Sequence, residues 1–135
     1  MDRLSIDARR RLMQAVKAKN TTPEIAVRSM LHRLGCRFRL HRSDLPGTPD
    51  IVLPGRGCVV FVNGCFWHGH RCRYGRLPTS RTDYWTPKIE ANRDRDRRKR
   101  AELRVIGWRV LTVWQCELRK PERLESKLRS FFGLG

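Results

Sequence analysis

The sequence is poor in acidic residues. Only 13 Asp and Glu stand against 30 Lys and Arg in 135 residues, which gives a formal net charge of +17. Such an excess of one sign disfavours the compact state through self-repulsion, and it is typical of proteins whose partner is a polyanion. Most of the cations are arginines, whose forked side chains suit phosphate contacts. We therefore expect the protein to bind nucleic acid; the alternatives are a ribosome-associated scaffold or a merely solvated basic surface.

Long apolar runs are also missing. Apolar residues make up 39% of the chain, and no stretch approaches the roughly 20 apolar residues of a membrane span. Residues 1–20 are charged and lack the apolar run of a signal peptide. No internal repeat or low-complexity linker is visible. We therefore expect an intracellular protein that has one folded domain and no membrane contact.

The order of the predicted elements indicates the fold class. Residues 1–20 read as a basic arm or short helix, and residues 21–135 read as the folded domain. Thr22 can cap a helix in which Pro23 suits the first position and which Gly35 ends. The remaining pattern predicts strands at 38–40, 50–53 and 58–62, a helix at 88–106, a strand at 108–113 and a helix at 122–132. Helices before and after a small mixed sheet predict an α/β domain.

Cysteines are few and odd in number, which argues against a disulfide framework and favours metal binding or buried thiols. Cys65 and Cys72 lie in one coreless loop, and the distant Cys116 can join them. His70 suits the fourth ligand position because it is two residues from Cys72, which leaves His68 to face elsewhere. This donor set is typical of tetrahedral zinc, whose binding would fold the loop; the alternative is unligated cysteines with surface histidines. Two further cysteines in apolar surroundings read as core thiols: Cys36 and Cys58.

Asp50 begins a predicted strand and is the candidate ligand of a second metal. Nucleases of the restriction-enzyme fold place a carboxylate at the head of a hairpin strand, where it binds magnesium that stabilises charge on the scissile phosphate. A Pro-Asp dipeptide alone is a weak signal, because aspartate after proline usually just ends a turn. The signal gains weight because the next strand leads to His68, a candidate general base.

Adjacent Phe66 and Trp67 lie in a loop that is otherwise polar. Such a pair is usually local core. Because this loop would have a metal core instead, the pair can also serve as a rigid apolar wedge that enters a DNA base stack.

Several of these segments together resemble the very-short-patch-repair (Vsr) endonuclease family. The segments that carry the resemblance are 48–50, 64–68, 79–85, 92–97, 107–111 and 113–116. The match runs from about Thr21 to about Leu118, and the aromatic-flanked Cys-His cluster followed by a late Trp-x-Cys is its most specific part. The resemblance implies a restriction-endonuclease-like single domain: a small mixed β-sheet flanked by helices, with a structural zinc site.

The resemblance also implies roles by position. Asp50 is similar to the family's magnesium ligand, and His68 to its catalytic histidine. Glu24 resembles the acidic residue that supports that histidine or the metal-bound water. The carbonyl of Val62 would be the second magnesium contact, and Asp96 falls on a charged position of the long helix near the site.

Other positions follow in the same way. The zinc ligands implied are Cys65, His70, Cys72 and Cys116. The aromatic residues implied to insert into the DNA base stack, beside a mispaired base, are Phe66, Trp67 and Trp85. One catalytic position departs from the family pattern, because Asn63 stands where a histidine is common and where the family makes a metal-water contact.

The activity implied is nicking of one strand of duplex DNA, 5′ of the thymine in a T:G mismatch left by deamination of 5-methylcytosine, which initiates very short patch repair. Catalytic Mg2+, structural Zn2+, double-stranded DNA with a T:G mismatch and mismatch-repair proteins are the expected cofactors and partners. The resemblance further implies a monomer in the bacterial cytoplasm, at the nucleoid. The alternatives are a restriction-type or less selective mismatch nicking enzyme of the same fold, and a non-enzymatic zinc-containing DNA-binding module.

Overall fold

The computed structural model describes residues 21–66, 68, 70, 72 and 82–134. The predicted basic arm at 1–20 and the predicted wedge residue Trp67 lie outside these residues. The helices are α1 (Thr22–Arg33), α2 (Thr82–Val105) and α3 (Pro121–Phe132), and the strands are β1 (Arg39–Leu40), β2 (Ile51–Leu53), β3 (Cys58–Asn63) and β4 (Arg109–Trp114). Within the residues described, short 3-10 helices cover Pro54–Arg56 and Gln115–Arg119.

Helix α1 begins one residue away from the expected cap. Thr21, not Thr22, is the N-cap, and its hydroxyl accepts a hydrogen bond from the backbone N–H of Glu24 at 3.3 Å. The prediction of Thr22 was wrong because both threonines precede Pro23 and only the backbone decides which one stays extended. One face of α1 is buried and carries Val27, Met30 and Leu31.

The four strands form one mixed sheet in the order β1-β2-β3-β4. The pairs β1-β2 and β2-β3 are antiparallel, and β3-β4 is parallel. A parallel pair needs a long crossover connection, and α2 lies in the connection between β3 and β4. The predicted α/β class with a small mixed sheet and flanking helices is therefore confirmed.

Both faces of the sheet are covered by helices. Alternate residues of β2 and β3 belong to different apolar clusters, as the period of two in a strand requires. On one face Ile51 and Val60 pack with apolar residues of α1 and α3. On the other face Val52 and Val59 pack with Leu103 of α2. The two predicted core thiols are buried on the first of these faces: Cys36 and Cys58.

Helix α2 begins at Thr82, six residues before the start that the sequence predicted. Pro87 explains the difference, because a proline inside a helix removes a backbone hydrogen bond and usually marks a boundary. Here it lies within the first two turns of α2. The early turns bury Trp85 and Ile89, so Trp85 is a helical residue and not part of a loop.

The loop between β1 and β2 makes a close approach to α2 at Gly47. A Cβ atom at this position would lie 2.9 Å from the Cβ of Lys99, and the backbone has a φ of +76°. Both features require glycine. The loop that leads into Asp50 is thereby held against α2. No helix in the described part of the chain is both long and apolar enough to cross a membrane.

Candidate active site and metal centre

Asp50 lies directly before β2, where the backbone pairing with β3 ends at Ile51 and Val60. Its Oδ2 accepts a hydrogen bond from the backbone N–H of Val62 at 2.7 Å. The carboxylate thus continues the β2-β3 pairing with a side chain. Val62 therefore contacts Asp50 through its N–H, and the predicted contact between its carbonyl and a cation stays a prediction.

The side chain of Glu24, which belongs to α1, lies close to the Asp50 carboxylate. The residue is 1% exposed, and its Oε2 accepts a hydrogen bond from Nη2 of Arg28 and lies 2.7 Å from Nε2 of His41. The ligand atoms of Glu24, His41 and Asp50 all lie within 4.8 Å of one another. Glu24 contacts His41 here, and the two roles that the resemblance implied for it, support of the catalytic histidine or of the metal-bound water, stay predictions.

The surroundings of Asp50 raise its pKa to about 6. Burial is the main cause, because a low-dielectric surrounding disfavours the charged form. The nearby Glu24 raises the pKa further, while the hydrogen bond from Val62 and the charge of His41 lower it. A bound cation would stabilise this pair of a buried and a partly buried carboxylate, since it compensates both charges.

His68 is paired with Asp96 of α2. The distance from His68 Nδ1 to Asp96 Oδ2 is 2.5 Å, and the two residues are 28 positions apart in the sequence. An ionised carboxylate only accepts hydrogen bonds, so Nδ1 of His68 is the donor in this pair. Asp96 thus orients the imidazole ring through Nδ1 and leaves Nε2 outside the pair.

A cavity of about 230 Å³ lies beside this pair. Its walls include His68, Asp96 and three arginines of α2, namely Arg93, Arg97 and Arg100. Positions 93, 97 and 100 follow the spacing that places residues on one face of a helix. Guanidinium groups beside an imidazole favour an anion, and their planar donors match phosphate oxygens.

Asn63 ends β3 opposite Trp114, the last residue of β4. It is 4% exposed. Trp114 also lines the arginine-rich cavity, so Asn63 and the His68–Asp96 pair belong to the same end of the sheet. A role for the Asn63 amide in catalysis stays a prediction.

The structure brings together all four predicted zinc ligands. The ligand atoms of Cys65, His70, Cys72 and Cys116 lie within 4.8 Å of one another, and Cys116 Sγ lies 3.5 Å from His70 Nδ1. Three sulfurs and one imidazole nitrogen fit the donor set of a tetrahedral zinc site. His68 stays outside this cluster, as the spacing predicted.

Burial raises the pKa of the Cys65 thiol to about 12 and also raises the pKa of Cys116. Both thiols are therefore protonated at neutral pH when no cation is bound. A metal ion binds the thiolate form, so binding would release protons from this cluster.

Glu117 and Lys127, which the sequence did not single out, hold the segment around Cys116 in place. The Glu117 carboxylate accepts the backbone N–H of Trp114 at 2.9 Å and pairs with Lys127 of α3 at 2.8 Å. These contacts fix the short 3-10 helix that carries Cys116. His70 stacks on the Trp114 ring at 4.1 Å between centroids, which fixes a second ligand against the same strand.

Two of the aromatic residues assigned to intercalation are packed against each other, Phe66 and Trp85. Trp85 is 5% exposed, and Phe66 contacts it edge to face with 5.4 Å between ring centroids. Phe66 itself is half-buried. Trp85 therefore packs against Phe66 and holds its ring in position. Intercalation of either side chain stays a prediction.

Sequence reasoning did not single out His41, and it assigned residues 92–100 as a whole to phosphate contact without separating the three arginines that line the cavity. His41 follows the predicted strand 38–40, but it lies opposite Asp50 only through the register in which β1 pairs with β2, and a single sequence does not give that register. The arginines lay in a stretch that was polar on every side, so no periodicity separated the face that lines the cavity.

Comparison with solved structures identifies the fold. The catalytic domain of the homing endonuclease I-Bth0305I matches with a TM-score of 0.59 and 23% identity, over 84% of this chain and 95% of that domain. The architecture is that of the restriction-endonuclease-like nucleases, as the resemblance implied.

Comparison of sequences identifies the family. Residues 1–74 match the family described as DNA mismatch endonuclease Vsr. The type II nicking enzyme V.XorIIP of Xanthomonas oryzae pv. oryzae is 67% identical over 129 residues, covering 96% of this chain and 95% of its own. The DNA mismatch endonuclease Vsr of Escherichia coli (strain K12) is 44% identical over 112 residues, covering 83% and 72% of the two chains. The chain belongs to the Vsr family and is a DNA endonuclease.

Proposed function

We propose that this endonuclease nicks one strand of duplex DNA 5′ of the thymine in a T:G mismatch, with Mg2+ as the catalytic cation. The observation that supports this function best is the position of the His68–Asp96 pair beside an arginine-lined cavity. The relative from Escherichia coli carries the name of a mismatch endonuclease, and the relative from Xanthomonas oryzae that of a nicking enzyme. Both names fit cleavage of one strand at a mispaired site.

The carboxylates of Glu24 and Asp50 would hold the cation. Hard oxygen ligands suit Mg2+, and the buried carboxylate of Glu24 and the partly buried carboxylate of Asp50 lie within 4.8 Å of each other. When bound, the cation supplies stabilisation of the negative charge that develops on the scissile phosphate. The N–H of Val62 fixes one oxygen of Asp50, so the carboxylate is oriented before DNA arrives.

His68 would act on a proton. Asp96 orients the ring and stabilises its protonated form, so Nε2 can take a proton from the attacking water. Arginines 93, 97 and 100 would bind phosphates of the strand to be cut and displace their counterions. The same pocket would thereby position the strand and hold the proton acceptor.

Mismatch selectivity would come from aromatic residues of the loop. T:G pairs stack poorly, so their unstacking costs less than that of a matched pair, roughly a few kcal/mol per step. Phe66 and Trp67 would enter the base stack. Trp85 would hold Phe66 in position, since the two rings are in contact. Zinc at the Cys65–His70–Cys72–Cys116 cluster would hold this loop in shape.

The decisive experiment is a nicking assay with Mg2+ on end-labelled duplexes that differ only at one base pair. The T:G duplex should be cut on the thymine strand alone, 5′ of the thymine, whereas the C:G and T:A duplexes should stay intact. Equal cutting of matched and mismatched duplexes would instead assign a restriction-type or less selective nicking activity. Cutting of both strands would contradict a nicking function.

The cavity predicts that arginines on one helix face matter more than those on the other. A double variant Arg93→Ala/Arg100→Ala should lower kcat/KM for nicking about 100-fold, because each charge-assisted hydrogen bond to phosphate contributes about 1.5 kcal/mol. The salt dependence of DNA binding should also fall, with a loss of about 0.9 in the log-log slope for each lost phosphate contact.

The matched control is Arg95→Ala/Arg98→Ala, which removes the same charge from the same helix. Arg95 and Arg98 are exposed and do not line the cavity. This control should keep kcat/KM within about tenfold of the wild type, by long-range electrostatics alone. Equal losses in the two double variants would show that only net charge matters and that the cavity binds no phosphate.

The aromatic residues predict two separable effects. Trp85→Ala should lower the free energy of unfolding by about 3–5 kcal/mol, because a buried ring is lost, and should also lower the T:G preference. Trp67→Ala should lower the T:G preference at nearly unchanged stability. Melting, zinc content and the ratio of nicking on T:G and matched duplexes should be measured on each sample. A folded, zinc-loaded Trp67→Ala enzyme with wild-type preference would remove Trp67 from the wedge.

A further inference from the structure

His41 occupies a position that the proposed mechanism has not used. Its backbone N–H donates to the carbonyl of Asp50 at 3.1 Å, which extends the β1-β2 pairing one residue beyond Leu40 and Ile51. The residue has a φ of +48°. This left-handed conformation is uncommon for a side-chain-bearing residue and is maintained only where the surroundings favour it. His41 is thus held opposite Asp50 by the backbone.

The side chain of His41 turns toward the carboxylates. Its Nε2 lies 2.7 Å from Glu24 Oε2, and its ligand atom lies within 4.8 Å of those of both Glu24 and Asp50. Only 14% of the His41 side chain and 2% of the Glu24 side chain are exposed. Three metal-binding donors therefore converge from α1, from the end of β1 and from the residue before β2.

This donor set is not the one that Mg2+ prefers. Mg2+ selects oxygen ligands and keeps several waters, whereas imidazole nitrogen suits first-row transition metals such as Fe2+, Ni2+ and Zn2+ better. Mn2+ is the first member of that transition-metal series. Arg28 also donates to Glu24. The Glu24 carboxylate would therefore keep a partner if the imidazole turned its Nε2 lone pair to a cation.

We propose that His41 is a nitrogen ligand of the cation held by Glu24 and Asp50, and that this ligand makes the site bind Mn2+ more tightly than Mg2+. The inference rests on the proposed function, because it concerns the same cation site. It assigns to His41 a role in metal selection, while Asp50 and Glu24 supply the negative charge. A histidine that served only to hold Glu24 by a hydrogen bond would leave metal preference unchanged.

The test uses Mn2+ as the probe on the full-length, zinc-loaded protein without a histidine tag. Electron spin echo modulation of the bound Mn2+ should show coupling to one nitrogen-14 nucleus. In His41→Gln the amide can still donate to Glu24 but offers no nitrogen lone pair. The coupling should disappear, and the Kd for Mn2+ should rise roughly tenfold or more, in the range found for perturbed metal sites. The Kd for Mg2+ should change by less.

The matched control is His32→Gln, which removes an exposed imidazole from the last turn of α1. It should keep the nitrogen coupling and the wild-type Kd for Mn2+. Absence of nitrogen coupling in the wild type, or its persistence in His41→Gln, would overturn the proposal. Thermal melting of each variant shows whether the fold is kept.

Nicking of the T:G duplex, assayed on the same samples, separates this proposal from the proposed function. A wild-type enzyme that nicks the mismatch but shows no nitrogen coupling refutes the His41 ligand alone. A wild-type enzyme that shows the coupling but cuts no mismatched duplex refutes the proposed substrate and leaves His41 as a ligand.

Discussion

Asp50→Asn is expected to lower nicking by about 1000-fold or more and, at the same time, to stabilise the protein above pH 6. The loss of activity follows because a catalytic cation contributes several kcal/mol to the transition state. The amide that replaces the carboxylate would keep an oxygen that can accept the N–H of Val62, so the fold should survive. The variant would lose the charge that binds the cation.

The gain in stability has a defined pH dependence. Asp50 has a pKa of about 6 in the folded protein against an ordinary value of 3.8, so the native state binds its proton more tightly than the unfolded chain does. Its charged form then destabilises the native state as the pH rises from about 4 to above 6. Asparagine stays neutral, and the gain should reach up to about 3 kcal/mol at pH 7–8 and vanish near pH 4.

Melting temperatures of the wild type and Asp50→Asn between pH 4 and pH 8 test this expectation. The buffers should contain no Mg2+, and they should contain no strong chelator, because a chelator would also empty the Cys/His cluster. Asp44→Asn is the control, since Asp44 is exposed and pairs only at the surface with Arg42. A melting difference that does not change with pH would contradict the raised pKa of Asp50.

Cys116→Ala is expected to remove the metal from the cluster and to unfold the loop that carries Phe66. Structural zinc in small peptides contributes about 10–16 kcal/mol of apparent binding free energy, so the loss of one of four ligands should be the largest stability effect of any single substitution in this protein. Wild-type protein should contain about one zinc ion per chain, and the variant much less. Zinc content by mass spectrometry and thermal melting measure both effects.

Cys36→Ala is the matched control for this loss. Cys36 is buried in the apolar cluster between α1 and the sheet and lies outside the Cys/His cluster. Its replacement should lower the free energy of unfolding through lost core contacts but keep the zinc stoichiometry. Full zinc content in Cys116→Ala would remove that residue from the site, and loss of zinc in Cys36→Ala would mean that the metal responds to general destabilisation.

The sequence predicted those parts of the site that lie close together along the chain or carry unusual residues. Cysteines and histidines at short spacing indicated the metal cluster, and its four members do converge. The strands at 50–53 and 58–62 could be predicted because a short apolar run between turn residues is typical of a buried strand. The observed strands differ from the prediction only at their ends.

The remaining parts depend on contacts between distant elements. Asp96 is 28 residues from His68, and no local pattern links the two. His41 reaches Glu24 only because β1 and β2 pair in one particular register. Trp85 lies outside the helix predicted at 88–106, but it is buried because α2 starts before Pro87. Register and helix starts of this kind are set by tertiary packing, which a single sequence does not report.

Helix α2 carries three residues that contact different parts of the site. Trp85 lies near its first turn, Asp96 in its middle, and Lys99 one turn later against Gly47. At 1.5 Å per residue, the first and second of these are about 16 Å apart along the axis. A change that tilts the first turns of α2 therefore also shifts the carboxylate that orients His68 and the loop that leads to Asp50. Changes at Trp85 are expected to alter rate and selectivity together, whereas changes at Trp67 act on selectivity alone.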